Sequence, residues 1–261
     1  MAGLPKGLTR GVLLGGMAAV LWRVLAHRDS RVAIGGLVLK RVGGIPFLGS
    51  RVQAVVQEPL ITGVCRAVAE DLVAEARSGE LLELNSAPGF LTVEMGQRAR
   101  DLQITALDPS PHGVQITEAK VHAAGLGRQI KVAMGDAMDI PYPDESFDFA
   151  VSLGALHRWP APGVVLGEIL RVLRPGGKAW IYDWRREMPE EGWEMVREAI
   201  PPLGRPLFEA AVMAPWKAAY PESLIRDLAG KSPFGGAEIK VLPVDIAGMV
   251  VPAIIRIALR K

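Results

Sequence analysis

Cysteine is nearly absent: Cys65 stands alone, so no disulfide framework can form within the chain, and a reducing compartment is the default expectation. Histidine is scarce too. His27, His112, His122 and His157 lie far apart, so no local spacing assembles a Cys/His zinc site, and no metal is expected. Long apolar runs are also missing. The longest stretch without Asp, Glu, Lys or Arg, residues 11–22, has twelve residues and as a helix reaches only about 18 Å. A bilayer core of about 30 Å needs roughly 20 such residues, which argues against a simple span. There is no internal repeat and no low-complexity tract.

What is present is a chain of 261 residues and 28.0 kDa, 49% apolar and 22% charged, with a mean hydropathy of +0.22. That excludes disorder and leaves one large domain, or one domain with an appendage. The net charge of +2 is unevenly spread. Residues 1–60 hold eight Lys/Arg against Asp29 and Glu58, which leaves the remainder at −4. No basic face suits nucleic acid. The front instead could meet an anionic surface. The apolar run between Arg10 and Arg23, with a second apolar stretch at Val32–Leu39, fits either a cap packed on the core or a membrane-surface anchor with snorkelling arginines. An export signal fits less well, because Arg23 follows the run at once and no small-residue cleavage site appears. A cytoplasmic location is expected, at the inner face of a membrane if residues 1–40 make peripheral contact.

The domain boundary is placed at 57/58, with 1–57 as a basic, apolar extension. From Glu58 to Arg77 the apolar positions Ile61, Val64, Val68, Leu72 and Ala76 recur at helical spacing, with Gly79 as the stop. Short apolar strands then alternate with helices. Strands are expected at Leu81–Leu84, Leu102–Leu107, Ile130–Met134, Phe147–Leu153 and Lys178–Asp183, and helices near 90–99, 111–124 and 161–173. This rhythm predicts an α/β fold with a doubly wound, mostly parallel sheet. Ala237–Val244 and Val250–Leu259 would close one edge as an antiparallel pair, for seven strands in all. Segment 184–236, broken by seven prolines, is expected to be an insertion or lid. Its Trp184, Trp193, Phe208, Met213 and Trp216 would either line an apolar acceptor pocket or pack the insertion onto the core.

In such sheets ligands bind where the strands end at their carboxyl side. After the first strand come Glu83-Leu84-Asn85-Ser86-Ala87-Pro88-Gly89, a loop of mostly small residues that backbone and ligand can approach. After the second come Asp108-Pro109-Ser110-Pro111, nineteen residues past Gly89, where one carboxylate can hold a ribose diol. After the third come Gly135-Asp136-Ala137, whose acid could accept from an adenine amine. Each is also an ordinary turn sequence. Together they outline a nucleoside-shaped cleft.

The chain resembles the class I S-adenosylmethionine-dependent methyltransferases, in particular the type 11 group, over about Leu81 to Asp183. The likeness rests on Gly135-Asp136-Ala137-Met138-Asp139-Ile140-Pro141-Tyr142-Pro143-Asp144-Glu145-Ser146-Phe147-Asp148, then Ser152-Leu153-Gly154-Ala155-Leu156-His157, then Arg171-Val172-Leu173-Arg174-Pro175-Gly176-Gly177. It implies a Rossmann-like methyltransferase fold with S-adenosyl-L-methionine as cofactor. By this likeness Glu83 with the loop Asn85, Ala87, Gly89 would hold the methionine end. Asp108 and Pro109 would hold the ribose, Asp136 with Ala137 the adenine, and Ser152 the cleft edge by the sulfonium. The loop departs from the family pattern of three glycines: Asn85 and Ala87 stand in the first two places, and their Cβ atoms crowd the methionine space.

The resemblance implies methyl transfer, and the acceptor is read as small and lipophilic from the apolar insertion and front segment. His157 is the candidate general base; capping its helix or packing on Trp159 is the competing role. Asp183 is read as a turn or cap, Arg171–Gly177 as a purely structural helix end, and Cys65 as buried and inert. Two other readings stay in view. One is a non-catalytic scaffold or membrane-associated interaction protein on the same fold. The other is a dinucleotide oxidoreductase, disfavoured because the loop lacks Gly-x-Gly-x-x-Gly.

Overall fold

A computed structural model describes residues 58–198, 214–246 and 249–261. The apolar run 11–22, the rest of 1–57, and Phe208 and Met213 lie outside the described residues. Helix α1 (Glu58–Glu75) leads into β1 (Ser78–Leu84), α2 (Phe90–Arg98), β2 (Asp101–Asp108), α3 (Pro111–Ala123), β3 (Ile130–Met134) and β4 (Phe147–Leu153). A 3-10 turn (Leu156–Arg158), α4 (Pro162–Val172) and β5 (Leu173–Trp184) follow. After α5 (Glu190–Glu198), α6 (Ala214–Ala218) and α7 (Glu222–Gly230), the chain closes with β6 (Ala237–Ile246) and β7 (Met249–Arg260). Among the described residues no helix is long and apolar enough to cross a membrane.

The seven strands lie in the order β3-β2-β1-β4-β5-β7-β6, with β1 to β5 parallel and β6 and β7 antiparallel. Burial explains the alternation. Leu82, Leu84, Ile181, Ile255 and Ile257 point to one face with Val165 and Ile169 of α4 and Ile225 of α7. On the other face Val64, Val68 and Leu72 of α1, spaced four apart, are buried as the period predicted.

Two boundaries differ from expectation. Gly79 is not the stop of α1, which ends at Glu75; it sits in β1 against the Asp148 carboxylate. Helix α4 ends at Val172, close to the expected end, but β5 starts at Leu173 rather than at Lys178. Leu173 already pairs with Phe147, so the Pro175-Gly176-Gly177 turn falls inside β5.

Helix α1 is tied to the sheet by a nearly buried ion pair. Arg256 donates to Asp71 at 2.7 Å, the Tyr182 hydroxyl donates to the same oxygen at 3.0 Å, and the guanidinium lies 4.1 Å over the Trp180 ring. Burial and the neighbouring Asp71 push the Tyr182 hydroxyl upward, so it stays protonated.

Candidate active site

Strand register brings the predicted residues to one edge. Leu84 pairs with Leu107 and with Ser152, and Asp108 pairs with Met134, so the carboxyl ends of β3, β2, β1 and β4 stand side by side. The Ser152 hydroxyl, fully buried, donates to the Leu84 carbonyl at 3.1 Å. This fastens β4 to β1 where strand order reverses, which is where such sheets open a crevice.

Asp108 is the hub of the edge. It is 6% exposed, with one oxygen accepting from the Ala87 N–H and the other from the Ser110 N–H, both at 3.0 Å. The loop after β1 is therefore held to the end of β2. Gly113 makes this possible: a Cβ there would overlap Asp108 Oδ1 and come within 2.9 Å of the Ala87 Cβ. Pro109 leads into Ser110, which caps α3 by accepting from Gly113 N–H at 3.3 Å.

The non-glycine residues of the first loop are accommodated. Asn85 takes the left-handed conformation, φ 58°, which asparagine tolerates better than most residues. Its side-chain oxygen accepts from the Trp159 indole at 2.9 Å. The Ala87 Cβ faces the Gly113 side. Gly89, φ 84°, is the left-handed N-cap of α2, and a Cβ there would press on Thr117 at 3.0–3.3 Å. Asn85 is thus turned toward Trp159, and Ala87 toward α3. Ser86, in the same loop, keeps a buried hydroxyl with no partner among the described residues.

Glu83 is 3% exposed and accepts from the Thr92 hydroxyl at 2.6 Å, so its carboxyl is engaged with α2. Burial, opposed by the Thr92 bond and reinforced by Asp108, pushes it from the ordinary 4.5 up to about 8. The folded chain then keeps a proton that the unfolded chain releases, so stability falls as pH rises between about 4.5 and about 8. Glu83→Gln, neutral throughout, should match the wild-type urea midpoint near the low end of that window and exceed it at the high end. Parallel midpoints across the window would mean that Glu83 ionises as readily folded as unfolded.

Asp136 is exposed and forms an Asx turn, accepting from Met138 N–H at 2.9 Å through Oδ1. Its Oδ2 has no partner among the described residues, while Ala137 is buried beside it. The residues that hold this loop were not legible as such. Arg171 donates to the carbonyls of Ile140 and Tyr142 and to Glu168 and Asp144, at 2.7–2.9 Å, and Glu168 accepts from Ile140 N–H at 2.9 Å. The helix-end segment was read as free of chemistry. Its Arg171 clamps the loop that carries Asp136.

Asp183 is neither a turn nor a helix cap alone. It is buried and accepts from His157 N–H at 3.1 Å, its two oxygens stand 3.1 Å from His157 Nδ1, and Oδ1 accepts from Trp184 N–H at 2.7 Å. A carboxylate accepts only, which assigns an Nδ1 proton to the ring, and in the neutral imidazole the lone pair then lies on Nε2. The side chains are 6% and 2% exposed, so water is largely excluded from the pair. Twenty-six residues separate the two, and only the sheet brings them together. Cys65 is buried as expected, and burial pushes its thiol upward, which keeps it unreactive.

The fold, with its order reversal between β1 and β4 and its antiparallel last pair, is the Rossmann-like methyltransferase architecture. Residues 82–181 match a family described as a methyltransferase domain. The chain is similar to a rice (Oryza sativa subsp. japonica) chloroplastic 2-methyl-6-phytyl-1,4-hydroquinone methyltransferase 1, 34% identical over 38% of this chain and 29% of that one. It is similar also to a fatty-acid O-methyltransferase of Mycolicibacterium smegmatis, 31% identical over 46% of this chain and 43% of the relative. The chain thus spans less than half the length of these two curated relatives. Among solved structures, a SAM dependent methyltransferase from Aquifex aeolicus superimposes with a TM-score of 0.55, at 18% identity, over 74% of this chain and 88% of that one. Residues 82–181 thus match a methyltransferase domain, on the fold of the S-adenosylmethionine-dependent methyltransferases, whose cofactor is S-adenosyl-L-methionine.

The residues present fit such a group. Asp108 has lone pairs left after two backbone bonds, Asp136 has an unused oxygen, Ser86 has an orphaned buried hydroxyl, and Gly89 and Gly113 keep side chains out of the loop.

Proposed function

We propose that the protein transfers a methyl group from S-adenosyl-L-methionine to a small, lipophilic acceptor. The observation that carries this reading is the bond from Ala87 N–H to Asp108, which joins the first loop to the ribose-type acid beside the switch point. Support for the acceptor class comes from the two relatives, whose names give a hydroquinone and a fatty acid, and from the aromatic residues after β5.

When bound, the cofactor supplies an electrophilic sulfonium methyl. Asp108 would hold the ribose hydroxyls, Asp136 Oδ2 the adenine amine, and Ser86 with the loop to Gly89 the methionine end. Glu83, buried against Thr92, would act on that loop from beneath. His157 would take the proton from the acceptor at Nε2, because Asp183 holds the Nδ1 proton and steadies the imidazolium that forms. Asp183 is thereby a positioning residue. Residues 184–236 would cover the acceptor, and residues 1–57 would be an appended segment, with peripheral membrane contact at the inner face through residues 1–40.

Calorimetry with S-adenosylhomocysteine tests the reading. Wild type and His157→Ala should bind it equally, while His157→Ala should lose most labelled methyl transfer to a phytyl-hydroquinone probe. No heat from wild type at millimolar concentration would turn the assignment toward a scaffold that keeps only the fold.

A further inference from the structure

Just past β5, two buried N–H donors have no acceptor among the described residues. Arg185 continues the β5 ladder by one residue, its N–H bonding to the Ala253 carbonyl at 2.9 Å. Side chains alternate along an extended strand, so Arg185 shares a face with Asp183 two residues earlier, the face that carries His157. Arg185 is half-buried. Its Nε is fully buried with no hydrogen-bond partner, and its guanidinium has no carboxylate partner among the described residues.

The second donor is the Trp193 indole on α5, 5% exposed, whose Nε1 also lacks a partner among the described residues. One ring connects the two. Trp216 lies 3.9 Å from Trp193, centroid to centroid, and donates its own indole N–H to the Arg185 carbonyl at 2.8 Å. Met188, buried, precedes α5 in the same turn.

An unpaired buried donor loses its water without recompense, and a guanidinium loses most. Buried groups of this kind call for an explanation, and a ligand is the one their chemistry suggests here. An arginine Nε with its adjacent NH group forms a planar fork that matches the two oxygens of a carboxylate. The neighbouring indoles offer flat apolar walls and one further N–H.

We propose that Arg185 and Trp193 form the polar end of the acceptor site and take the carboxylate of an otherwise apolar acceptor. The proposal rests on the methyl-transfer reading of the cleft, and it narrows the acceptor from lipophilic to amphipathic and acidic.

Dodecanoate and dodecanol, which share a chain and differ in the head group, are the probes, titrated into the full chain with and without saturating S-adenosylhomocysteine. Dodecanoate is expected to bind about tenfold or more tightly than dodecanol. Arg185→Ala should lose that preference, Arg185→Lys should keep part of it, and Trp193→Phe, which keeps the ring and removes only the N–H, should weaken dodecanoate alone. S-adenosylhomocysteine affinity should be unchanged in all three, which also certifies that they fold. Equal binding of acid and alcohol, or an Arg185→Ala chain that retains the preference, overturns the proposal. Arg185-dependent binding of dodecanoate by a chain that takes no S-adenosylhomocysteine would sink the methyl-transfer reading and leave the carboxylate site standing.

Discussion

Asp108→Ala is expected to lower the affinity for S-adenosylhomocysteine by about 100-fold, close to 2.7 kcal/mol. Two losses add. The ribose hydroxyls lose their acceptor, and the N–H groups of Ala87 and Ser110, now held at 3.0 Å, lose theirs, so the first loop is released from the end of β2. Hydrogen bonds to a charged group are worth roughly 1.5–3 kcal/mol each, which makes this magnitude attainable without unfolding. Asp108→Asn keeps one carbonyl acceptor and should fall between the two. Calorimetry checks the affinity and a urea melt checks the fold. An Asp108→Ala chain that binds like wild type would mean that the sheet edge carrying Asp108 is not where the nucleoside lies.

Asp71→Ala should be the costliest of these changes for stability, at about 3 kcal/mol, because removing one partner of a nearly buried pair leaves the other charge uncompensated. The stranded group is Arg256, whose side chain is 7% exposed. It would keep the Trp180 ring and a 3.4 Å contact with the exposed Glu238, which sets the figure at the lower end of the range for broken pairs. The Tyr182 hydroxyl would lose its acceptor as well. At roughly 2–4 °C per kcal/mol for a domain of this size, the melting temperature should fall by about 6–12 °C. Asp71→Asn, which can still accept from Tyr182, should lose less. A drop below about 2 °C for Asp71→Ala would mean that apolar packing of Val64, Val68 and Leu72 alone holds α1 to the sheet.

Much of the fold was legible because its signals are local. Alternating apolar strands and periodic helices gave the order of elements, and residue types after β1, β2 and β3 marked the edge where the first loop meets Asp108. Where a local rule failed, a longer-range contact had decided. Gly79 reads as a helix stop, yet it serves β1, where the Asp148 carboxylate comes to its side. The Arg174-Pro175-Gly176-Gly177 run reads as a boundary, yet β5 begins before it, through pairing of Leu173 with Phe147.

The site divides in the same way. That Asp108, Asp136 and the loop to Gly89 belong together followed from their positions after successive strands of a parallel sheet, since such strands must end on one side. The sequence also identified His157 as the best base by side-chain chemistry alone. Nothing in it could say that Asp183 would meet His157, that Asn85 would turn to Trp159, or that Arg171 would clamp the Asp136 loop. Those partners are 26, 74 and about 30 residues apart, and they touch because sheet register places them so. Periodicity and spacing follow from chain geometry within a few residues, so the sequence by itself determined the layers and the edge on which the candidate site residues stand. Which side chains satisfy one another's hydrogen bonds, and which donors are left for a ligand, is settled only when distant segments share one packed interior, and that the tertiary structure decided.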